Sequence, residues 1–231
     1  AGPWLRVQQV GHSGARFTAH AALDELLAGY AGAPLLTVDT GELAARVAQL
    51  PAVAEARVET RLPNSLAVTV VEKEPAITWR TPAALLVAAA DGSVIAELPL
   101  DADLGDGLAG LPSVVDERRD SRLLTVGDRL PAAELATARR LMELDPELLG
   151  STATALDVRL DDEHGFVLVC PEGGWEAALG VYGLDPRATP GEAEALLQRQ
   201  VAAIRTLFSV EDEAGVSWLD ARNPGKVYWA P

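Results

Sequence analysis

A single cysteine, Cys170, is all that this 231-residue chain holds. It therefore cannot form an internal disulfide, and it offers no zinc-cluster spacing. Basic residues are scarce as well: 19 Lys and Arg stand against 34 Asp and Glu, a formal net charge of -15 at pH 7. A nucleic-acid or anionic-membrane partner would need a basic face, which that balance does not favour. No apolar run approaches the roughly 20 residues that a spanning helix requires, and the start at Ala1 carries no signal-peptide pattern.

Catalytic and metal-binding patterns are missing too. His12, His20 and His164 show no ligand spacing and read as solvated surface residues. Asp101, Asp103 and Asp106 loosely suggest a calcium loop, but Pro112 stands where its closing glutamate is needed, so a solvated acidic loop is the expectation. Asp157 and Asp161 share the polar face of a strand while Asp162 and Glu163 fill a turn, which disfavours acid/base work there. Gly225-Lys226 lacks the preceding glycine of a P-loop, and Gly11-His12-Ser13-Gly14 lacks the spacing of a nucleophile elbow. No catalytic residue, metal ligand or cofactor site is assigned, and the chain is expected not to be an enzyme.

What the chain does have is 48% hydrophobic residues in well-marked patterns, enough for two small domains. The strongest pattern lies between Leu50 and Pro75. Val58, Thr60 and Leu62 alternate with Arg57, Glu59 and Arg61; after Pro63-Asn64, Leu66, Val68 and Val70 alternate with Ala67, Thr69 and Val71. That spells a β-hairpin with one apolar face. Leu43, Val47 and Leu50 mark a short helix before it, with Asp39 and Glu42 at capping-box spacing. Leu23, Leu26, Leu27 and Tyr30 mark another, with Thr18 as its cap, and Trp4 to Val10 reads as a first strand stopped by the loop at Gly11 to Gly14. The order strand-helix-helix-strand-strand describes a small α+β domain over residues 1-75.

Residues 76-231 read as a second, mainly antiparallel β domain. Strands are expected at Ile77 to Arg80, Leu85 to Ala89, Ser93 to Glu97, Leu123 to Val126, Leu156 to Asp161, Phe166 to Cys170 and Trp175 to Leu179. A loop is expected from Leu98 to Pro112, and Pro131 opens a helix carrying Leu135, Ala138 and Met142. Leu197, Val201, Ile204 and Phe208 put a long apolar stripe on a helix from Gly191 to Ser209, and the chain closes with Val216 to Ala221 and Lys226 to Trp229.

The run LLTVDTGELAARVAQLPAVAEARVETRLPNSLAVTVVEKEPAITW resembles the POTRA module of the FtsQ/DivIB family of bacterial cell-division proteins: a VDT entry, a short helix, an LP-x-V-x-x-A-x-V strand, a P-N-x-L turn and an E-x-E-P exit follow in order. The ending VSWLDARNPGKVYWAP also resembles that family, with Ala221 where a larger aliphatic is usual. The resemblance implies a non-enzymatic divisome scaffold in septum formation. It also implies a membrane span just before Ala1: a single-pass protein of the cytoplasmic membrane, anchored by a segment absent here, with this region extracytoplasmic.

The family's last helix and strand receive an FtsB-type partner in a complex that also holds FtsL. Carried over, that points to Val216, Ser217, Trp218, Leu219 and Asp220, then Lys226, Val227, Tyr228 and Trp229, with Arg199 and Arg205 on the preceding helix. An open sheet edge suits such a task, since main-chain hydrogen bonds supply affinity and flanking side chains supply choice. The competing reading is that these aromatics close the core of the second domain. The face formed by Arg57, Glu59 and Arg61 is either a docking surface for other divisome proteins or a solvated strand face. Two other functions stay open: a POTRA-containing outer-membrane assembly or secretion component, and an extracytoplasmic enzyme built on the Asp161 cluster.

Overall fold

The computed structural model describes residues 5–181, 189–223 and 225–231. Two compact units can be distinguished: the chain up to Pro75 with Val87–Glu97 and Thr125–Arg129, and the remainder.

In the first unit, β1 (Gln9–Ser13), α1 (His20–Ala28), α2 (Thr40–Val47), β2 (Val53–Arg61) and β3 (Ser65–Glu72) follow in order. The sheet runs β1-β3-β2, with β1 parallel and β2 antiparallel to β3. Leu23 and Leu27 of α1, Leu43 and Val47 of α2, and Val58, Leu66, Val68 and Val70 of the hairpin close one core. Burial of this kind is worth roughly 1.5–3 kcal/mol per large aliphatic side chain. The apolar face drawn from Val58 to Leu62 is covered only at Val58, and Leu62 is 73% exposed.

Three local expectations are corrected. Trp4 lies outside the described residues, and β1 starts only at Gln9 and runs through Gly11 and His12 to Ser13. Its stop is Gly14, at φ 90, where a Cβ would lie 2.0 Å from the Val70 carbonyl oxygen. Thr18 does not cap α1: the N-cap is Ala19, and the Glu72 carboxylate accepts instead from the amides of Phe17 at 2.9 Å and Thr18 at 2.6 Å. Burial pushes that carboxyl up, but the hydrogen bonds from Thr18 and Phe17 outweigh it and hold Glu72 below its usual range. His12 is not solvated; its Nε2 lies 3.3 Å from Asp24 and its ring 5.0 Å from that of His20. By contrast Asp39 does cap α2, accepting from the Glu42 amide at 2.9 Å.

The remaining elements are β4 (Pro75–Arg80), β5 (Leu85–Ala89), β6 (Val94–Leu98), α3 (Gly105–Leu108), β7 (Ser113–Asp116), α4 (Ala132–Met142), β8 (Asp157–Asp161), β9 (Gly165–Cys170), β10 (Trp175–Gly180), α5 (Pro190–Phe208), β11 (Trp218–Asp220) and β12 (Tyr228–Ala230). The hydrogen-bonded order is β12-β11-β10-β9-β8-β7-β4-β5-β6. The fold class is α+β, as the periodicities require, and the large sheet is mixed. β4, β7 and β8 run parallel to one another, as do β10 and β11, while β8, β9 and β10 form antiparallel pairs.

Three assignments differ from expectation, the first being α3, which forms inside the stretch expected as a loop from Leu98 to Pro112. Leu123 to Val126 forms no strand, and the chain makes a 3-10 turn at Asp120–Leu123. The strand that does form nearby is β7, inside a polar stretch. Its fully buried Asp116 explains it: Oδ2 accepts from the Trp79 indole at 2.9 Å, and Arg118 grips the carboxylate through Nε at 2.9 Å and Nη2 at 2.8 Å. Glu134 of α4 takes the other side of the same guanidinium at 2.7 and 3.0 Å. Burial works against the Arg118 charge, but these two carboxylates more than offset it and raise its pKa further.

Candidate partner-binding edge

α5 begins at a complete capping box, in which the Glu192 amide donates to Thr189 Oγ1 at 3.3 Å and the Thr189 amide donates back to Glu192 at 2.8 Å. Leu197 and Ile204 carry its stripe into the core. Gln200 lies between them, fully buried, and its amide donates to the carbonyls of Leu179 at 2.8 Å and Ala221 at 2.7 Å. The helix is thereby tied to the ends of both β10 and β11.

The 3-10 turn Glu213–Gly215 enters β11, and Glu213 fixes it. One carboxylate oxygen accepts from the Trp175 indole at 2.7 Å and from the Ser151 hydroxyl; the other accepts from Thr152 through its amide at 3.0 Å. Burial alone would raise this carboxyl, and these three donors, with the Thr152 hydroxyl at 3.2 Å as a fourth, hold it below its usual range instead.

β11 then inserts between β10, which it meets in parallel, and β12, which it meets antiparallel. Leu219 of β11 is fully buried opposite Ala177, and Val216 is buried just before the strand. Trp218 is half-buried, with its ring edge-on to His164 at 4.9 Å. Asp220 is committed to Arg222, whose Nε and Nη2 donate to it at 2.9 and 2.6 Å and draw its carboxyl below the usual range.

β12 is the terminal strand of the order and, among the described residues, has β11 on one flank only. Opposite residues of paired strands share a face. Trp229, opposite Leu219, therefore shares the face of that buried residue, and Tyr228, opposite Asp220, lies on the other. They remain 41% and 58% exposed. Lys226 and Ser217 are exposed, Val227 is half-buried, and the Ser217 hydroxyl donates to the Pro231 carbonyl at 2.7 Å. Closing the core thus describes Val216 and Leu219, in part Trp218, and not Tyr228 or Trp229.

The far edge of the same sheet differs. The β6 residue Val94 donates to the Asp128 carbonyl at 2.9 Å and accepts from the Gly127 amide at 3.0 Å, and Ser93 bridges to Arg129. The start of that edge is engaged by chain, which is one of the ways proteins prevent unwanted strand pairing.

On α5, Arg199 is exposed and its Nε donates to the Ala195 carbonyl at 3.1 Å. Arg205 instead lines a groove of about 540 Å³ between α5 and the segment after α4, together with Leu144, Leu148, Leu197 and Val201. The two arginines therefore do not share a site. Arg57, Glu59 and Arg61 all lie exposed along β2.

Of the acidic groups weighed for catalysis, Asp161 and Asp162 are engaged by backbone amides. Asp161 accepts from the amides of Glu163 at 2.9 Å and His164 at 2.6 Å, and Asp162 accepts from the Arg119 amide at 3.1 Å. His164 is accordingly held 3.3 Å from Asp161 rather than solvated. Among the described residues no group of three or more His, Cys, Asp and Glu is placed to hold a metal ion, and no helix is long and apolar enough to cross a membrane. Cys170 is buried, which pushes its thiol pKa up.

Sequence reasoning missed Gln200 and Glu213. Gln200 is a polar residue set into an apolar stripe and Glu213 a polar residue in polar surroundings, and only Trp175, whose indole needs a partner when buried, hints at Glu213.

Residues 5–73 match the family model described as POTRA domain, FtsQ-type. Over 167 residues the chain is 29% identical to the cell division protein FtsQ of Cereibacter sphaeroides, covering 72% of this chain and 49% of that protein. The chain thus spans about half the length of the curated relative it matches. Residues 5–73 thus match an FtsQ-type POTRA domain, and the likeness to an FtsQ extends well beyond them, which together support a kinship with the FtsQ/DivIB family of bacterial cell-division proteins.

Proposed function

We propose that the protein is a cell-division scaffold that works by binding other polypeptides and catalyses no reaction. In this reading residues 1-75 are the POTRA domain and residues 76-231 the β domain that receives the main partner. An FtsB-type strand adds to the open flank of β12 and, through it, an FtsL-type protein joins the complex. The protein is anchored in the cytoplasmic membrane by a single span outside this sequence, with the described units on the extracytoplasmic side.

The observation that carries this is the contrast between the two edges of one sheet: β6 is engaged at its start by residues 127 to 129, whereas β12, among the described residues, pairs on one flank only and bears an exposed aromatic on each face. Backbone groups along a free strand give affinity without sequence demand, and Tyr228 and Trp229 beside them provide apolar anchors of the type that dominate binding energy. Lys226 would meet an acidic residue of the incoming segment, with Val216 to Asp220 as the platform beneath. Arg205, at the mouth of its groove, offers a second acidic contact, and Arg199 a third. The POTRA domain contributes recruitment through the face of Arg57, Glu59 and Arg61.

Retention of an FtsB-type ectodomain peptide on immobilised protein tests the tail. Tyr228→Ala, Trp229→Ala and Lys226→Glu are each expected to weaken it about tenfold or more, by the usual cost of losing an interface anchor, with circular dichroism unchanged. Equal retention by all three variants would remove β12 from the binding site.

A further inference from the structure

We propose that the outer flank of β2 pairs antiparallel with β2 of a second copy of this chain, about a two-fold axis through Val58. This rests on the reading of the Arg57, Glu59 and Arg61 face as a docking face and names its occupant. It is independent of the tail.

β2 is a terminal strand of its sheet, so one flank carries no neighbour among the described residues. Its pairing with β3 shifts register between Val53 and Glu55 and is then unbroken from Glu55↔Val71 to Arg61↔Ser65. Val58 is the middle of that regular run. Glu55, Arg57, Glu59 and Arg61 occupy alternate positions on one exposed face, two of each sign in alternation.

In an antiparallel pair centred on Val58, residues equidistant from it face each other. Arg57 of one copy then meets Glu59 of the other, and Glu55 meets Arg61, each pair occurring twice by symmetry. Every charge on that face finds its opposite. Sliding the register until Arg57 or Glu59 lies on the axis sets like charges against each other, and parallel in-register pairing does the same, so the pattern selects one arrangement. Within a single chain these groups have little else to do: the closest opposite pair, Arg61 and Glu59, stands 3.6 Å apart on exposed side chains. Edge strands protected against pairing usually carry charges that repel a copy of themselves, and this one does the reverse. The interface is isologous, as a two-fold dimer requires. On the opposite face, the half-buried Ala56 meets Thr60 and Val58 meets its own copy. The net charge of -15 opposes association at long range, and salt near 0.15 M screens that repulsion beyond roughly 8 Å while leaving the paired charges in contact.

Sedimentation equilibrium of the whole chain over a concentration series tests the pairing. The unmodified protein is expected to show a concentration-dependent dimer. Arg57→Glu alone, or Glu59→Arg alone, turns two attractive pairs into repulsive ones and is expected to weaken the dimer about tenfold. The double reversal restores opposite charges at every pair, and the dimer returns. Glu55→Arg and Arg61→Glu provide a second, independent set of reversals, with circular dichroism reporting that each variant is folded. A protein that stays monomeric throughout, a dimer indifferent to the single reversals, or a double reversal that fails to restore it would each overturn the proposal. If all variants are monomeric while the single reversals lose recruitment to the division site, another polypeptide occupies the face: self-pairing fails and the docking reading stands.

Discussion

Replacing Asp116 by Ala is expected to be among the most destabilising single changes in the second unit. The carboxylate is fully buried and accepts from the Trp79 indole at 2.9 Å, while the Arg118 side chain and backbone amide donate to it at 2.8 to 3.1 Å. Trp79 is itself fully buried, so its indole N–H would be left without a partner, at about 1–3 kcal/mol. Arg118 would keep Glu134 but lose the other half of its charge compensation in a site where its side chain is only 21% exposed. Breaking a buried ion pair from one side costs about 3–5 kcal/mol, which contains the indole contribution. Against a typical total of about 5–15 kcal/mol, that is a large fraction. Urea unfolding followed by tryptophan fluorescence measures it. Combining the change with Trp79→Phe in a double-mutant cycle isolates the indole bond, for which a coupling of about 1 kcal/mol is expected. A loss below about 1 kcal/mol for Asp116→Ala would refute the view that this carboxylate organises β7.

Two further outcomes follow from other polar anchors. The Ser93 hydroxyl and amide, with Lys73 and Arg129, hold the Asp91 carboxyl down to about 2 from 3.8. Because the folded value is the lower one, Asp91 stabilises the fold above pH 3.8, and that contribution disappears as pH falls through about 2. With the side chain 46% exposed, solvent screening limits it to about 1 kcal/mol; Asp91→Asn should flatten this part of the acid unfolding curve, and superimposable curves would contradict the assignment. Glu213→Ala strips the Trp175 indole of its acceptor and is expected to cost about 2 kcal/mol in urea unfolding. It should also weaken retention of an FtsB-type peptide, because the turn it fixes leads straight into β11; full stability with unaltered retention would show that Glu213 does not set the edge.

Much of the fold is legible in the residues because burial and periodicity coincide. Leu156, Val158 and Leu160 alternate against a polar face and are all buried, so β8 reads directly. The unbroken apolar run of β9 is likewise covered on both faces. β7 does not read: it is short, ends in a buried carboxylate, and is held by neighbours distant in sequence. β1 is shifted for a related reason, since its hydrogen bonds come from β3 and a glycine inside it is tolerated wherever that register continues. At the candidate edge, the aromatics and the final strand are visible in sequence, but the uncovered flank is not, because it depends on the order of strands. Thr189 and Glu192 stand at capping-box spacing, a signal that places the start of α5 within a residue. Gln200 defeats pattern reading altogether: a polar side chain on an apolar stripe looks like a boundary and is in fact the tie between helix and sheet.

The pairing of Val94, at the start of β6, with residues 127 and 128 limits how this molecule can be extended there. A segment added at β12 meets no such prior pairing among the described residues, and its own outer side then decides whether growth continues. A copy of the chain that brought its tail to the start of β6 would find the Val94 amide and carbonyl already paired within the chain.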